Sequence, residues 1–211
     1  MIIDYMKNIT VFIMGLLISC KQEVPQKSNY EVQIFLLDSL EYYYNKGEMT
    51  EVVNRGLTFT AMYPDNAIGW HLLGGGYLAL SEDSLAETYV NQALKLDPSH
   101  PAILVNKAVL LDRQVRFEEA REYYEKAIAI DSFFAEAFSN FAANRLYAKD
   151  YINAVKLGEI AVELANRTGD KAILCLSYYK AGIKEKSDSL FHELRTMNYP
   201  NLDKLRDAIR N

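Results

Sequence analysis

The chain has 211 residues, enough for a domain with a sizeable core, and 50% of them are hydrophobic. Its 10 glycines and 5 prolines are too few for a fibrous or disordered protein. The net charge of -5 disfavours nucleic acid as a partner, because phosphate binding requires a basic surface.

An apolar run near the N-terminus, residues 9–18 (ITVFIMGLLI), has the length of the hydrophobic region of a signal peptide. It is only about half as long as a membrane-spanning helix. Lys7 precedes the run and supplies the positive charge that such peptides carry. Met6 is a more usual initiator methionine for such a segment than Met1, and the sequence allows either.

The apolar run ends in LISC at residues 17–20, which resembles the lipobox of bacterial lipoproteins. The resemblance implies cleavage of a signal peptide, residues 1–19, and acylation of the sulfur and new N-terminus of Cys20. The protein is then expected to be lipid-anchored in the cell envelope, and Lys21, where Asp would favour the inner membrane, points to the outer membrane. The alternatives are an ordinary signal peptide or a core helix with a chance cysteine.

Apolar side chains recur at helical spacing from about Tyr30, after a polar stretch at residues 20–29 that predicts a tether. The pattern repeats every 34 residues, with Ala86, Ala120 and Ala154 in register. A period of this length predicts stacked helix-turn-helix units and not a single globular core. Successive units are predicted at residues 33–66, 67–100, 101–134 and 135–168.

A fifth, less regular unit is predicted at residues 169–200, and a short amphipathic helix follows at residues 201–211. Leu202, Leu205 and Ile209 share one side of that helix. A terminal helix with a polar outer face is what a repeat array needs to cover its last core. We therefore predict one domain over residues 30–211 that ends in a capping helix.

The residues at these intervals resemble those of the tetratricopeptide repeat (TPR) family. The second unit carries the pattern as Trp70, Leu73, Gly74, Tyr77, Ala86, Ala93 and Pro98, and Phe117, Ala120, Tyr151 and Ala154 continue it. The resemblance implies an all-α fold, a right-handed superhelical α-solenoid of about five repeats. It also implies that the first helices of the repeats line a concave groove, which binds a peptide or protein segment.

By the family pattern, polar, small and aromatic side chains of the first helices face the groove. The binding candidates are His71, Gly75, Leu78, Asn106, Arg113, Asn140, Asn144 and Tyr147, and Asp112 and Ala143 share their face. Asparagine amides suit a peptide backbone because they offer both donors and acceptors. The alternative is that these side chains are solvated or cap the helices. The basic residues of the carboxylate clamp found in some chaperone-binding members are missing.

Three consecutive glycines, residues 74–76, interrupt the first helix of the second unit. Gly74 is expected, because two helices approach closely at that position of the repeat. Gly75 lies one turn from His71 and is expected to leave a notch in the groove that a ligand enters. The alternative is that Gly75 and Gly76 have no binding role and are neutral substitutions or bend the helix slightly.

The sequence contains no recognisable catalytic or metal-binding motif. His71, His100 and His192 fall in separate units, and no paired-cysteine spacing exists, so no zinc site is expected. The triple glycine lacks the Lys-Ser/Thr that follows a phosphate-binding loop. Cys175 is expected to be a buried free thiol.

These observations predict a protein that is not an enzyme and needs no cofactor or metal. The expected function is that of a membrane-anchored scaffold or adaptor that binds a protein or peptide partner in its groove. An accessory lipoprotein that binds a small ligand or glycan is the alternative, with Tyr44 and Tyr147 as the candidate aromatic platform.

Overall fold

The computed structural model describes residues 29–210, which form eleven α-helices and no strand. In chain order they are α1 (Asn29–Lys46), α2 (Met49–Met62), α3 (Ala67–Ala79), α4 (Asp83–Leu96), α5 (Pro101–Arg113), α6 (Phe117–Ile130), α7 (Ala135–Tyr147), α8 (Tyr151–Ala165), α9 (Thr168–Lys180), α10 (Lys184–Thr196) and α11 (Leu202–Arg210). The all-α prediction is confirmed. Within the described range, no helix combines the length and apolarity that a membrane span requires.

The predicted signal peptide, Cys20 and the tether up to residue 28 lie outside the described residues. Asn29, which the sequence assigned to the tether, is the first residue of α1. The chain divides into two compact units between Leu36 and Leu37. Helix α1 spans this division, and α2 to α11 belong entirely to the second unit.

Helices α3 to α10 pack as sequential pairs, α3 with α4, α5 with α6, α7 with α8 and α9 with α10. The first helix of each of these pairs also packs against the first helix of the next pair. This arrangement is an α-solenoid, in which each repeat contacts its neighbours. The surface to which the first helices α3, α5, α7 and α9 contribute is called the first-helix face below.

The turn between α1 and α2 and the turns within the four helix pairs repeat one backbone geometry. One residue of each turn has a positive φ: Gly47, Ser81, Val115, Lys149 and Gly182. The amide of the next residue bonds back to the last turn of the helix, as in Glu82 N to Tyr77 O (2.9 Å) and Arg116 N to Leu111 O (2.9 Å). This pairing of a left-handed residue with a long-range bond is the Schellman ending. It stops each first helix and reverses the chain.

Side chains also fix several helix starts. The Asn66 side chain accepts a hydrogen bond from Gly69 N (2.9 Å) ahead of α3, and Asp150 caps α8 in the same way. Pro101 is the first residue of α5, where its missing N–H costs nothing. The sequence therefore specifies both ends of the repeated helices locally.

Small residues occupy the positions where the paired helices meet. Six alanines of the second helices are fully buried at the predicted interval of the repeat: Ala86, Ala93, Ala120, Ala127, Ala154 and Ala161. A Cβ built on Gly74 would lie 2.8 Å from Val90 Cγ2 and 3.1 Å from Val90 N. The expected close approach of α3 to α4 at Gly74 is thus confirmed.

The other two glycines of the triplet make close contacts with different helices. A Cβ on Gly75 would lie 2.8 Å from both Cε2 and the hydroxyl oxygen of Tyr44 on α1. A Cβ on Gly76 would lie 3.0 Å from Val52 Cγ1 on α2. The expected ligand notch at Gly75 is therefore wrong, because the Tyr44 ring occupies that space. The three glycines let α3 pack closely against three neighbours.

Helix α11 covers the core of the last repeat, as its amphipathic sequence predicts. Leu205 packs in one cluster with Ala172, Cys175 and Leu194, and Leu202 and Ile209 lie against the same cluster. Cys175 is free and fully buried, which confirms the expected thiol. Its sulfur hydrogen-bonds to Ser187 O at 3.3 Å.

Candidate functional site

Two adjoining pockets open on the first-helix face. Pocket A has a volume of about 380 Å³ and lies between α5 and α7, with part of α6 as its floor. Its lining residues are Val109, Asp112, Arg113, Phe117, Tyr124, Asn140, Ala143, Asn144 and Tyr147. Pocket B has about 390 Å³ and lies between α7, α9 and α11. Ala143 and Tyr147 line both pockets. Tyr147, which is 70% exposed, therefore forms a shared wall.

The floor of pocket A is a hydrogen-bonded group of polar side chains. Asp112 accepts hydrogen bonds from the Tyr124 hydroxyl (2.8 Å) and from Asn144 Nδ2. Asn144 is fully buried, and its Nδ2 also donates to Phe117 O at 3.0 Å. Burial raises the pKa of the Asp112 carboxyl above its ordinary value, while the hydrogen bonds from Asn144 and Tyr124 oppose this shift.

Arg145 lies beneath this floor, at the position where the second unit carries Tyr77. The residue is 4% exposed. Its guanidinium donates to Asn144 Oδ1 (2.7 Å) and Phe117 O (3.1 Å) and pairs with Glu118 at 2.9 Å. The charge is thus buried together with several hydrogen-bond partners, as buried charges require. Asn144 and Arg145 therefore connect α7 to the first residues of α6 through hydrogen bonds and an ion pair.

Arg113, at the rim of pocket A, connects α5 to the preceding repeat. Its guanidinium pairs with Asp83 and donates a hydrogen bond to Leu78 O at 2.7 Å. Leu78 itself is buried in a cluster with Ala86, Val90 and Leu110. Of these two candidates, Arg113 reaches the pocket, while the Leu78 side chain belongs to the core.

His71 and Asn106 form a separate cluster toward the N-terminal end of the first-helix face. Both are buried, and Asn106 Nδ2 lies 2.9 Å from His71 Nδ1. The Tyr44 ring lies 6.2 Å from His71 and the His100 ring 6.0 Å, centroid to centroid. Burial, and to a lesser extent the neighbouring His100, lowers the pKa of His71 to about 4.

The structure thus separates the eight predicted residues into two groups. Arg113, Asn140, Asn144 and Tyr147 line pocket A. His71 and Asn106 bond to each other, Gly75 lies under Tyr44, and Leu78 is in the core. Among residues 29–210, no cluster of three or more His, Cys, Asp or Glu side chains is placed to hold a metal ion.

Pocket B contains residues that the sequence did not indicate as binding residues. Tyr199 precedes the terminal helix α11, and Lys204 and Leu205 lie on it; all three line the pocket together with Ile173 and Leu176 of α9. The sequence pattern identified α11 only as a cap. No sequence signal separated the two roles, because Leu205 fits the capping pattern and Lys204 fits a solvated helix face.

The comparisons with known proteins concern the fold. Residues 101–134, which comprise α5, α6 and the turn that follows, match the family model described as Tetratricopeptide repeat. A stretch of 100 residues, 47% of the chain, is 29% identical to part of the heat-shock protein cognate (HSC) co-chaperone sgt12 of Aspergillus fumigatus. The match spans only 29% of the length of that curated relative.

Solved structures of TPR proteins share the architecture. The thermophilic TPR protein TTC0263 of Thermus thermophilus superposes with a TM-score of 0.72 at 13% identity, over 85% of this chain and 100% of that chain. PilF of Pseudomonas aeruginosa gives 0.67 at 18% identity, over 87% and 90%. YrrB, described as a TPR protein with an unusual peptide-binding site, gives 0.57 at 12% identity, over 83% and 91%. These similarities establish a TPR-like α-solenoid fold.

Proposed function

We propose that the protein is a scaffold or adaptor that binds an extended segment of a partner protein across pockets A and B. The observation that carries this proposal is the exposed Tyr147 ring, which both pockets share as a wall. Alternate side chains of an extended segment point to the same side. Two adjoining pockets therefore suit two such side chains, with Tyr147 between them.

The character of the two pockets supports this function. Volumes of about 380 and 390 Å³ lie within the range of about 300–1,000 Å³ usual for binding sites. Their walls are largely apolar, with a few polar groups, such as Asp112 and Asn140, to orient a ligand. The likeness to YrrB, whose description includes a peptide-binding site, is consistent with a peptide ligand, although it rests on the fold alone.

We propose further that a lipid on Cys20 anchors this scaffold in the cell envelope, with Lys21 favouring the outer membrane. The support is the resemblance of residues 17–20 to a lipobox, directly after an apolar run of signal-peptide length. Attachment by more than one acyl chain gives stable anchoring, at about 0.8 kcal/mol for each buried CH₂. The partner is then expected in the same envelope compartment.

Peptide selection tests the binding function directly. Twelve-residue peptides are selected from a random display library on the full chain in mild detergent, and the affinity of a synthetic copy is measured by fluorescence anisotropy. Tyr147→Ala should weaken binding at least about tenfold, since buried aromatic contacts dominate peptide interfaces. The matched control is Phe133→Ala, which removes another exposed ring (79%) from the α6–α7 turn. Equal affinity of the two variants would contradict the proposal.

A further inference from the structure

Pocket A contains a carboxylate, Asp112, that forms no ion pair within the described part of the chain. Two guanidiniums lie near it, but Arg113 pairs with Asp83 and Arg145 pairs with Glu118. Among residues 29–210, no lysine, arginine or histidine forms an ion pair with Asp112. Asp112, the carboxylate that lines the pocket, thus takes part in neither of these two ion pairs.

The hydrogen bonds to Asp112 hold its carboxylate in place without an ion pair, and the Arg145 charge acts on it from beyond ion-pair distance. Both donors, the Tyr124 hydroxyl and the Asn144 amide, are neutral, and each bonds to a different oxygen. A carboxylate offers about four lone-pair sites, so further donors can be accepted. Because Tyr124 and Asn144 are nearly or fully buried, the carboxylate cannot turn freely into solvent.

The walls around this carboxylate are apolar and aromatic. Val109 and Ala143 line the pocket on α5 and α7, and the rings of Phe117 and Tyr147 complete it. Lysine and arginine side chains have long aliphatic stems that pack against such surfaces while the charged end finds a polar partner. Aromatic rings also attract a cation placed over their faces.

We propose that pocket A takes a lysine or arginine side chain of the bound segment, with Asp112 as its charge partner. The inference rests on the proposed function, because it names the side chain that the partner contributes to that site. Arginine forms two parallel bonds to a carboxylate where lysine acts as a point charge, so arginine is the better ligand. The side chain two residues along the segment enters pocket B, whose walls are mainly apolar.

A set of defined peptides tests the charge preference. Fluorescein-labelled, capped decapeptides repeat Ala-Ala-X-Ala-Leu twice, with X as arginine, lysine, citrulline, norleucine or glutamate. The full chain in mild detergent should bind the arginine and lysine peptides at least about tenfold more tightly than their neutral counterparts, as expected for a charge-assisted bond. Asp112→Asn should remove that preference and leave the affinity for the norleucine peptide unchanged. The matched control, Asp65→Asn, changes an exposed carboxylate elsewhere and should retain the preference.

A second variant covers the case in which Asp112→Asn does not fold. Asn140→Lys introduces an ammonium into the same pocket from a half-buried position on α7, and it should abolish the preference by supplying the missing cation internally. Equal binding of all five peptides, or a preference that survives both variants, overturns the inference while leaving the scaffold function intact. Binding of none of the five also overturns it. The scaffold function is decided separately, by the peptides selected from the random library.

Discussion

The side-chain amide of Asn106 on α5 donates to His71 on α3 across the boundary between two repeats. Asn106 Nδ2 lies 2.9 Å from His71 Nδ1 and 3.3 Å from His71 O. An amide nitrogen donates and does not accept, so Nδ1 is the acceptor and the imidazole proton resides on Nε2. Two side chains predicted to bind a ligand are instead bonded to each other.

The buried imidazole predicts that the protein loses stability in mild acid. The pKa of His71 is about 4 in the folded chain, against 6.5 in the unfolded one. Between these values only the unfolded chain takes up the proton, so the free energy of unfolding falls as the pH decreases from 6.5 to 4. The difference corresponds to about 3 kcal/mol from this one group. Protonation at Nδ1 would also break the bond from Asn106.

Urea unfolding at pH 7, 5.5 and 4.5 measures this loss. His71→Asn retains an acceptor near the position of Nδ1 but does not titrate, so it should flatten the pH dependence despite a lower stability at pH 7. His192→Asn, at an exposed site on α10, is the control and should leave the pH dependence unchanged. A pH dependence that is the same in all three proteins would contradict the assignment to His71.

Enlarging Gly75 should destabilise the fold without selectively affecting a ligand. A leucine there must displace the Tyr44 ring, which lies 2.8 Å from the position of a Cβ, and overpacking of this kind costs about 1–3 kcal/mol. Gly169→Ala is the control, because nothing lies within 4 Å of its Cβ and alanine is the better helix former. The double variant Gly75→Leu with Tyr44→Ala should lose less stability than the sum of the single changes. Strict additivity in a double-mutant cycle would exclude the contact.

Replacing Val115 should stabilise the protein. Val115 has φ 61° in the α5–α6 turn and is 70% exposed. A left-handed conformation costs a residue with a Cβ about 1–2 kcal/mol, and a β-branched residue is especially unfavourable there. Val115→Gly should therefore raise the free energy of unfolding by about 0.5–1 kcal/mol, after the greater backbone entropy of glycine is subtracted. The reverse change, Gly182→Val at φ 79° in the turn between α9 and α10, should lower it. A stability loss in Val115→Gly would refute this account.

Asn144 should contribute far more to stability than Asn140, one turn away on the same helix. Asn144→Ala leaves the buried Nε of Arg145 and the oxygens of Asp112 and Phe117 with fewer partners. Each unsatisfied buried polar group costs about 1–3 kcal/mol. Asn140 is half-buried in the pocket wall, and Asn140→Ala should cost less than about 1 kcal/mol. Chemical unfolding of both variants measures the difference, and similar losses would show that the network is weak.

Metabolic labelling tests the predicted lipid anchor. Cells that produce the protein are fed an alkyne analogue of palmitate, and the purified protein is assayed for the label. The label should be present in the unmodified protein and absent from Cys20→Ala, which should also leave the membrane fraction. Cys175→Ala removes the buried thiol of α9 and should retain the label. Labelling that persists in Cys20→Ala would rule out the lipobox.

The spacing of small and apolar residues was sufficient to predict the helix pairs. Ala86 and Gly74 are inward because two helices cannot approach closely with larger side chains between them, and this constraint recurs in each unit. Because the same packing constraint applies in each repeat, small residues recur at the same interval in the sequence. The terminal helix was predictable for a related reason, because Leu202, Leu205 and Ile209 fall on one side of it.

The side-chain partners on the first-helix face were not predictable in this way. Asn106 bonds to His71 across 35 residues, Arg113 to Leu78 O across 35, and Asn144 to Asp112 across 32. The repeat register places these residues on the same face, but rotamers and local packing decide whether they bond to each other or face a ligand. Gly75 is a similar case, because its space is filled by a ring from a different repeat.

The position of Tyr147 between two pockets means that they are not independent. A ring that forms a wall of both pockets cannot rotate to widen one without narrowing the other. The side chains that a partner places in the two pockets are therefore selected as a pair, and their contributions to affinity are non-additive. A single aromatic residue thus couples the recognition of two alternate side chains of the partner segment.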